Sequence, residues 1–271
     1  MRKRILGSIS SIVAAAVVVA TVSPALATSR RFTYTYESLV LNKGDIELEM
    51  WTTVRNERED FYRRFDQRME FEVGLSQRLQ TAFYLNFEAT AQDVAPDERV
   101  SEFAWGGVSN EWRYKLLDPV ADPVGFALYF EWGVAPTEAE LEFKVILDKR
   151  MGNFLTAFNA VVEPEWEYEA EETERETTIE FDLAAAYFLS PAFSLGAELR
   201  NHNEWVPEIG HEHSALFMGP VASYAAEGWW ATLTVLPQVA KLKGSEADED
   251  NDLILSEHEK LEVRLIFGVD L

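Results

Sequence analysis

The chain has 271 residues, of which 47 are acidic, 24 are basic and none is cysteine, and its formal net charge is -23 at pH 7. A surface this acidic would repel a phosphate backbone, so nucleic acid is excluded as a partner. The absence of cysteine excludes disulfides, thiolate metal sites and cysteine nucleophiles. Hydrophobic residues make up 47% of the chain, too many for a disordered protein, and the length suits one all-β domain.

The N-terminus has the three parts of a secretory signal peptide. A basic start at residues 2–4 is followed by an apolar stretch at residues 5–22 and by a small-residue cleavage site that ends at Ala27. An uncleaved anchor helix is the alternative, because about 18 apolar residues can just cross a bilayer. Serines within the stretch and the cleavage site favour a signal peptide over residues 1–27, and hence an exported protein.

Apolar and polar residues alternate with period two through the rest of the chain. Successive side chains of a β-strand point to opposite faces, whereas a helix would need apolar residues three and four positions apart. Many of the segments are ten residues or longer, which suits strands that cross a membrane at a tilt and need about 9–11 residues. We predict twelve strands, at residues 45–56, 61–75, 79–90, 100–116, 124–134, 139–147, 154–168, 175–189, 193–204, 214–225, 229–239 and 259–271.

The connections between these segments also alternate. Short turns lie on one side, and mostly longer, acidic loops, such as residues 91–99, 163–174 and 241–258, lie on the other. This asymmetry is typical of outer-membrane barrels and is not expected of a soluble antiparallel sandwich, which is the alternative fold. Five tryptophans near strand ends would form the aromatic girdles of such a barrel: Trp132, Trp166, Trp205, Trp229 and Trp230.

We therefore predict an all-β chain that folds as a single antiparallel up-and-down transmembrane β-barrel of about twelve strands. Residues 44–271 form the barrel, and residues 28–43 form a periplasmic N-terminal lead-in that can tuck into the bore. An even number of strands places both chain termini on the periplasmic side, where the short turns lie. The cell outer membrane is the expected location, and its lipid, its lipopolysaccharide and the barrel-assembly machinery are the expected partners.

Two segments carry a resemblance to known proteins. The run that starts at Arg31, RFTYTYES, and the run that starts at Leu41, LNKGDIELEMW, look like uncharacterised bacterial outer-membrane barrel families, among them barrels grouped loosely with the phenol-degradation MetA-pathway transport-like proteins. The terminal strand is similar to the assembly signal of outer-membrane proteins, but it ends in Leu271 instead of an aromatic residue. The resemblance implies an architecture and carries no catalytic residues.

Charged residues fill the faces opposite the apolar stripes. If the stripes face lipid, these residues line the lumen, where unpaired carboxylates would favour cations and paired charges would plug the bore. Pairs such as Arg64 and Arg68 with Glu47 and Glu49 are expected across neighbouring strands. The predicted lining residues are Glu47, Glu49, Arg55, Arg64, Asp66, Arg68, Glu70, Glu72, Glu88, Glu131, Glu142, Lys144, Glu180, Asp182, Glu198, Arg200, Glu262 and Arg264.

Two short motifs have ligand chemistry. Asp248, Asp250, Asp252 and Glu259 have the spacing of an EF-hand calcium loop, although Leu253 occupies the position where that motif requires glycine. A solvated acidic loop is the simpler interpretation, and weak Ca²⁺ binding is the alternative. His211-Glu212-His213 could present two imidazoles on one face of an extended chain, but a polar loop is the simpler interpretation there too.

The leading functional hypothesis is a narrow passive channel for a small solute, with an acidic lumen that prefers cations. The first alternative is a non-conducting barrel with a structural or surface-binding role carried by acidic loops. An outer-membrane hydrolase is the second alternative, but His213 and Ser214 are adjacent and would point to opposite faces of a strand, so we expect no enzymatic activity.

Overall fold

In the computed structural model, which describes residues 29–95, 98–168, 173–244 and 246–271, the chain folds as one closed antiparallel β-barrel of twelve strands. The predicted fold class is confirmed, while the predicted signal peptide, residues 1–27, lies outside the described residues. None of the described helices is long and apolar enough to cross a membrane. The strands are β1 (Ile46–Asn56), β2 (Tyr62–Gly74), β3 (Leu79–Ala95), β4 (Glu98–Leu117), β5 (Gly125–Val134), β6 (Glu138–Met151), β7 (Phe154–Tyr168), β8 (Thr173–Phe188), β9 (Phe193–Val206), β10 (Gly210–Ala226), β11 (Trp229–Lys243) and β12 (Leu261–Asp270).

Each strand pairs with its sequence neighbours, and β1 closes the barrel against β12, with Glu47 opposite Asp270 and Asn56 opposite Leu261. Closure removes the exposed edges that an open sheet would leave. We call the end where β1 begins and β12 ends the turn end, because the tight β2–β3, β6–β7 and β10–β11 connections lie there. The opposite end, where residues 244–260 join β11 to β12, is the loop end.

The outer wall is apolar. Side chains that point outward along the strands, such as Phe83, Leu128 and Leu183, are about half exposed, at 54%, 45% and 53% of their surface. An outward-facing apolar band is what a membrane-spanning barrel presents to lipid. Trp132, Trp205 and Trp229 belong to this surface. The prediction that Trp230 faces outward is wrong, because Trp230 is buried in the lumen and donates a hydrogen bond to Glu47.

The predicted long acidic loops at residues 91–99 and 163–174 are wrong as loops. In those regions β3 and β4, and likewise β7 and β8, stay paired almost to their ends, for example Asp93 opposite Arg99 and Glu167 opposite Glu174. Cross-strand pairing continues here because an antiparallel ladder needs only backbone groups and tolerates charged side chains that point into water. The long connection that does exist at the loop end is residues 244–260, which contain one short 3-10 helix, Glu246–Asp248.

The lumen is filled by packed side chains. Three apolar clusters lie inside, and each is built around one aromatic residue of the lead-in: Phe32, Tyr34 or Tyr36. Ile254 of the long connection is fully buried in the cluster around Tyr34. The bore is therefore filled by residues 29–43 and by part of the connection between β11 and β12, which we call the closing loop (residues 246–260).

Candidate functional site

The lead-in crosses the lumen and is held there mainly by one carboxylate, that of Glu198 on β9. Three successive backbone amides donate to it, with N···O distances of 3.1 Å for Thr33, 2.9 Å for Tyr34 and 2.9 Å for Thr35. Thr234 on β11 donates a further hydrogen bond of 2.5 Å to the same group. Glu198 is fully buried, so its charge is satisfied by these donors instead of water.

Other strands hold the lead-in along its length. Asn159 on β7 accepts a hydrogen bond of 2.6 Å from the amide of Tyr36 and donates one of 3.0 Å to its carbonyl. Ser38 Oγ donates to Asp148 Oδ1 at 2.5 Å, and the amide of Leu41 donates to Gln80 Oε1 at 2.8 Å. The described lead-in thus contacts β3, β6, β7, β9 and β11, and it blocks the bore.

Cations surround the ring of Tyr36 at the centre of this plug. The guanidinium of Arg30 lies 3.9 Å from the ring centroid, and Lys144 Nζ lies 4.2 Å from it. Arg30 also lies 4.4 Å from the ring centroid of Trp51. A buried cation is stabilised when it lies against the face of an aromatic ring. Because Arg30 belongs to the lead-in, the lead-in brings positive charge into an acidic lumen.

The predicted lining residues lie on the inner wall. Eight of them are buried: Glu47, Glu49, Glu70, Glu72, Glu131, Asp182, Glu198 and Glu262. Arg55, Arg64, Asp66, Arg68, Glu180, Arg200 and Arg264 are partly buried and make ion pairs or hydrogen bonds within the lumen. Glu142 and Lys144 form an ion pair of 2.8 Å, and Glu88 pairs with Arg64 at 2.8 Å.

The expected pairing of Arg64 and Arg68 with Glu47 and Glu49 is wrong. The register places Glu47 opposite Glu72 and Glu49 opposite Glu70, so carboxylates face carboxylates on β1 and β2. Arg68 instead reaches Glu131 on β5, 2.5 Å away. Arg64 pairs with Asp66 on its own strand and with Glu88 on the neighbouring β3, so of these two only Arg68 crosses the bore, which the register of neighbouring strands does not indicate.

The turn half of the lumen therefore holds an acidic cluster, defined here as Glu47, Glu49, Glu70, Glu72 and Glu111. Two arginines form ion pairs with this cluster. Arg30 of the lead-in lies 4.0 Å from Glu49, and Arg113 lies 2.7 Å from Glu111 and 3.8 Å from Glu72. Both carboxylate oxygens of Glu70 are buried with no hydrogen-bond partner in the part of the chain that the structure describes. Like charges this close repel each other unless a cation or a proton is present.

A cavity of about 520 Å³ remains on the loop side of the plug. It extends from Trp51 and Arg264, beside the lead-in, to Pro136 and Thr137 in the β5–β6 connection. Its charged lining contains four arginines and four carboxylates, so its net charge is close to zero. These residues are Arg55, Arg64, Arg68, Arg264, Asp66, Glu88, Glu138 and Glu140.

The closing loop covers another part of the loop end. Asp248 Oδ1 accepts hydrogen bonds from the amides of Leu255, at 2.8 Å, and Ser256, at 3.2 Å. Burial alone would raise the pKa of Asp248, but the hydrogen bonds from Ser256 and Leu255 outweigh it and hold the pKa below its ordinary value. Glu259 pairs with Arg58 at 3.0 Å and with Arg55 at 3.6 Å.

These contacts do not bring the EF-hand-like carboxylates together. Asp248 is buried against the loop backbone, Glu259 is paired with arginines, and Asp250 and Asp252 are exposed. The four residues form none of the convergent ligand groups found among the described residues. Weak Ca²⁺ binding there stays a prediction from the sequence, and these contacts speak against it.

His211 and His213 are not on one face. Glu212 is an extra residue in the register between β9 and β10, which pairs His211 with Trp205 and His213 with Glu204. This bulge stacks His211 on Trp205, with ring centroids 4.9 Å apart, while His213 points into the lumen and is fully buried. There it meets His202 and His258, a grouping that the wide sequence separation concealed.

Residues 24–271 match the model of a family described as "Family of unknown function (DUF6662)", and the chain belongs to that family. None of the curated proteins matches the chain. The expectation of an uncharacterised family is thus confirmed, while its outer-membrane location and the finer likeness to MetA-pathway transport-like barrels stay predictions.

Solved structures with a similar fold are outer-membrane barrels. The COG4313 outer membrane channel from Pseudomonas putida F1 has a TM-score of 0.63 at 10% identity, over 86% of this chain and 98% of that one. The NanC porin has a TM-score of 0.52 at 10% identity, over 83% and 100%. The translocator domain of the autotransporter NalP from Neisseria meningitidis has 0.51 at 10% identity, over 84% and 89%. At these identities the likeness shows the fold alone.

Proposed function

We propose that this member of DUF6662 is an outer-membrane channel that is closed at rest by its own lead-in and opens when residues 29–43 leave the bore. The observation that carries the proposal is the set of hydrogen bonds by which Glu198 holds three successive amides of that segment. A small solute would then pass along the wall that the lead-in now covers.

The apolar outer wall supports a location in the outer membrane. Large hydrophobic side chains, among them Phe103 at 72% exposure, cover the outside, while charged side chains fill the inside. A soluble sheet protein has the opposite arrangement, because water would disfavour a continuous apolar surface of this size.

The way in which the lead-in is held supports a movable plug. Residues 29–41 form no strand, and in the described part of the chain their backbone makes no hydrogen bond to the backbone of a barrel strand. Their polar contacts are with side chains, and water can replace such partners. The barrel ladder is already complete through the pairing of β1 with β12, so release of the lead-in leaves the wall intact.

The charges of the lumen indicate the class of solute. Removal of the lead-in takes Arg30 away from the acidic cluster and leaves five carboxylates against Arg113. Rings of carboxylates favour cations in a passage. The cavity on the loop side, with equal numbers of arginines and carboxylates beside Trp51 and Trp105, suits a small polar solute that carries a positive charge or both charges.

A non-conducting barrel is the second candidate, and the closing loop favours it. Ile254 is fully buried and Gln238 holds its backbone at both polar atoms, 2.6 Å from the amide nitrogen and 2.9 Å from the carbonyl oxygen. Closure from both ends is what a purely structural or surface-binding barrel would have.

Recordings from purified, folded protein in a planar bilayer under a KCl gradient separate the two. A closed but releasable channel gives brief discrete current steps whose reversal potential shows a preference for cations. A bilayer that stays silent over long recordings, with heat-modifiable and therefore folded protein recovered from it, overturns the channel proposal and leaves the structural one.

A further inference from the structure

Three of the four histidines of the chain meet inside the loop half of the barrel. His202 lies on β9, His213 lies on β10, and His258 lies in the closing loop just before β12. Their exposed fractions are 8%, 0% and 7%, so all three rings are shielded from bulk water. Each offers a ligand nitrogen, and the three nitrogens lie within 4.8 Å of one another.

The atoms that face each other are those that bind metals. His213 Nε2 lies 2.9 Å from His258 Nε2. A carboxylate oxygen of Glu204 lies 3.6 Å from His213 Nε2 and 3.9 Å from His202 Nε2. In a tetrahedral site with metal–ligand distances of about 2.0–2.1 Å, neighbouring ligand atoms are about 3.3 Å apart. His213 Nε2 and His258 Nε2 are already near that spacing, whereas the nitrogen of His202, within 4.8 Å of both, and the carboxylate of Glu204 would move inward to bind the same ion.

A second carboxylate fixes the orientation of His202. Glu180 lies 2.7 Å from His202 Nδ1 and is also bound by Arg200. With Nδ1 engaged as a donor, the lone pair of His202 is on Nε2, the nitrogen on the side of Glu204. Metal-binding histidines commonly have such a carboxylate on the nitrogen that does not bind the metal.

We propose that His202, His213 and His258, with Glu204 as the fourth ligand, bind one divalent transition-metal ion such as Zn²⁺. Imidazole nitrogens select zinc, copper or nickel over calcium and magnesium, which prefer oxygen ligands alone. A bound ion would join the closing loop, through His258, to β9 and β10. This site is independent of whether the barrel conducts.

A hydrogen bond between two neutral imidazoles is the competing explanation. It accounts for the distance between His213 and His258, but it does not account for a third imidazole, that of His202, with a nitrogen within 4.8 Å of both. The two explanations differ in what they predict for added metal, because only the first predicts binding of one ion per chain.

The test is metal binding by the full-length folded protein in detergent, after removal of metal with a chelator. We expect one Zn²⁺ per chain by elemental analysis, at least about tenfold weaker binding after His213→Ala or His258→Ala, and no change after His211→Ala. His211 is the matched control, since it is two residues from His213 and stacks on Trp205 away from the cluster. Glu180→Gln, which keeps all four proposed ligands and changes the group on His202 Nδ1, should weaken binding about 10- to 100-fold.

Wild-type protein loaded with Co²⁺ gives a second measurement that does not depend on the folding of variants. Intense visible absorption bands of a four-coordinate ion, displaced by Zn²⁺, support the proposal. Overturning results are a stoichiometry near zero for folded wild-type protein, the pale spectrum of six-coordinate Co²⁺, or equal losses after His211→Ala and His213→Ala.

Discussion

The backbone amide of Tyr34 donates a 2.9 Å hydrogen bond to a carboxylate oxygen of Glu198, and this bond ties the N-terminal lead-in to the inner wall of the barrel. The same carboxylate receives the amides of the residues on either side. Hydrogen bonds to a charged group are worth about 1.5–3 kcal/mol each, so a single side chain accounts for much of the retention of the plug.

Glu198→Gln should therefore loosen the lead-in without unfolding the barrel. An amide accepts fewer hydrogen bonds than a carboxylate, so the lead-in is held less strongly. A loss of about 1.4 kcal/mol would raise the population with a released lead-in tenfold. We expect trypsin to cleave after the buried residues Arg30 and Arg31 at least about tenfold faster than in the wild type, as followed by mass spectrometry. Glu227→Gln, at an exposed turn position, is the control. Equal cleavage rates in both variants would show that Glu198 does not retain the plug.

The acidic cluster should set the ion preference of the open passage. Glu49→Gln together with Glu70→Gln removes two of its five carboxylates, and we expect the reversal potential under a KCl gradient to move toward zero. Glu249→Gln, at an exposed position of the closing loop, should leave it unchanged. A conducting double variant with the cation preference of the wild type would mean that solutes do not pass along this wall.

The ion pair between Arg68 and Glu131, which crosses the bore, should stabilise the folded barrel. Arg68→Met removes the ion-pair partner of Glu131, which is 2% exposed and keeps only neutral donors such as the Tyr129 hydroxyl, and removal of one member of a buried pair costs about 3–5 kcal/mol. The midpoint of urea unfolding, measured by heat modifiability, should fall accordingly, and Glu131→Gln in the same chain should restore part of it. Arg99→Met, which breaks an exposed pair with Asp93, should lower the midpoint far less, because water screens that pair. Similar losses in both single variants would contradict a buried pair.

Acid should release the closing loop. The pKa of Asp248 is held below its ordinary value of 3.8, so its contribution to stability is present above that pH and is lost as the pH falls through the lowered value. We expect the amides of Leu255 and Ser256 to become exchangeable with deuterium only below pH 3.8, as the pH falls through the lowered pKa, after correction for intrinsic rates. Asp248→Asn should show the same exchange at neutral pH. Continued protection of these amides in Asp248→Asn would show that the loop is held by other contacts.

The strands were predictable because alternation is a local property of a sequence. The odd or even position of a residue along its strand decides which side of the wall it faces, and this places Glu47 and Glu49 inside and Met50 outside. The same rule could have separated Trp229 from Trp230, which are adjacent and so face opposite sides. The alternation of sides breaks at the bulge of Glu212, where one extra residue reverses the side on which the following residue lies.

The candidate sites were less predictable, because they depend on contacts between distant parts of the chain. Nothing in the composition of residues 29–43 indicates that Glu198, more than 160 residues away, holds them. His258 joins His202 and His213 only because the closing loop folds inward at Ile254. A search for histidines that fall on inward positions of neighbouring strands would have paired the first two, and only the folded loop adds the third.

The most direct test of the plug is a reversible cross-link in this cysteine-free chain. Ser38→Cys and Asp148→Cys replace side chains that are in contact, so a short, reducible thiosulfonate cross-linker can tie the lead-in to β6. We predict that current steps in a planar bilayer disappear in the cross-linked protein and return after reduction, while either single variant treated in the same way keeps conducting. Undiminished conduction in the fully cross-linked protein would contradict an opening that requires the lead-in to leave the bore.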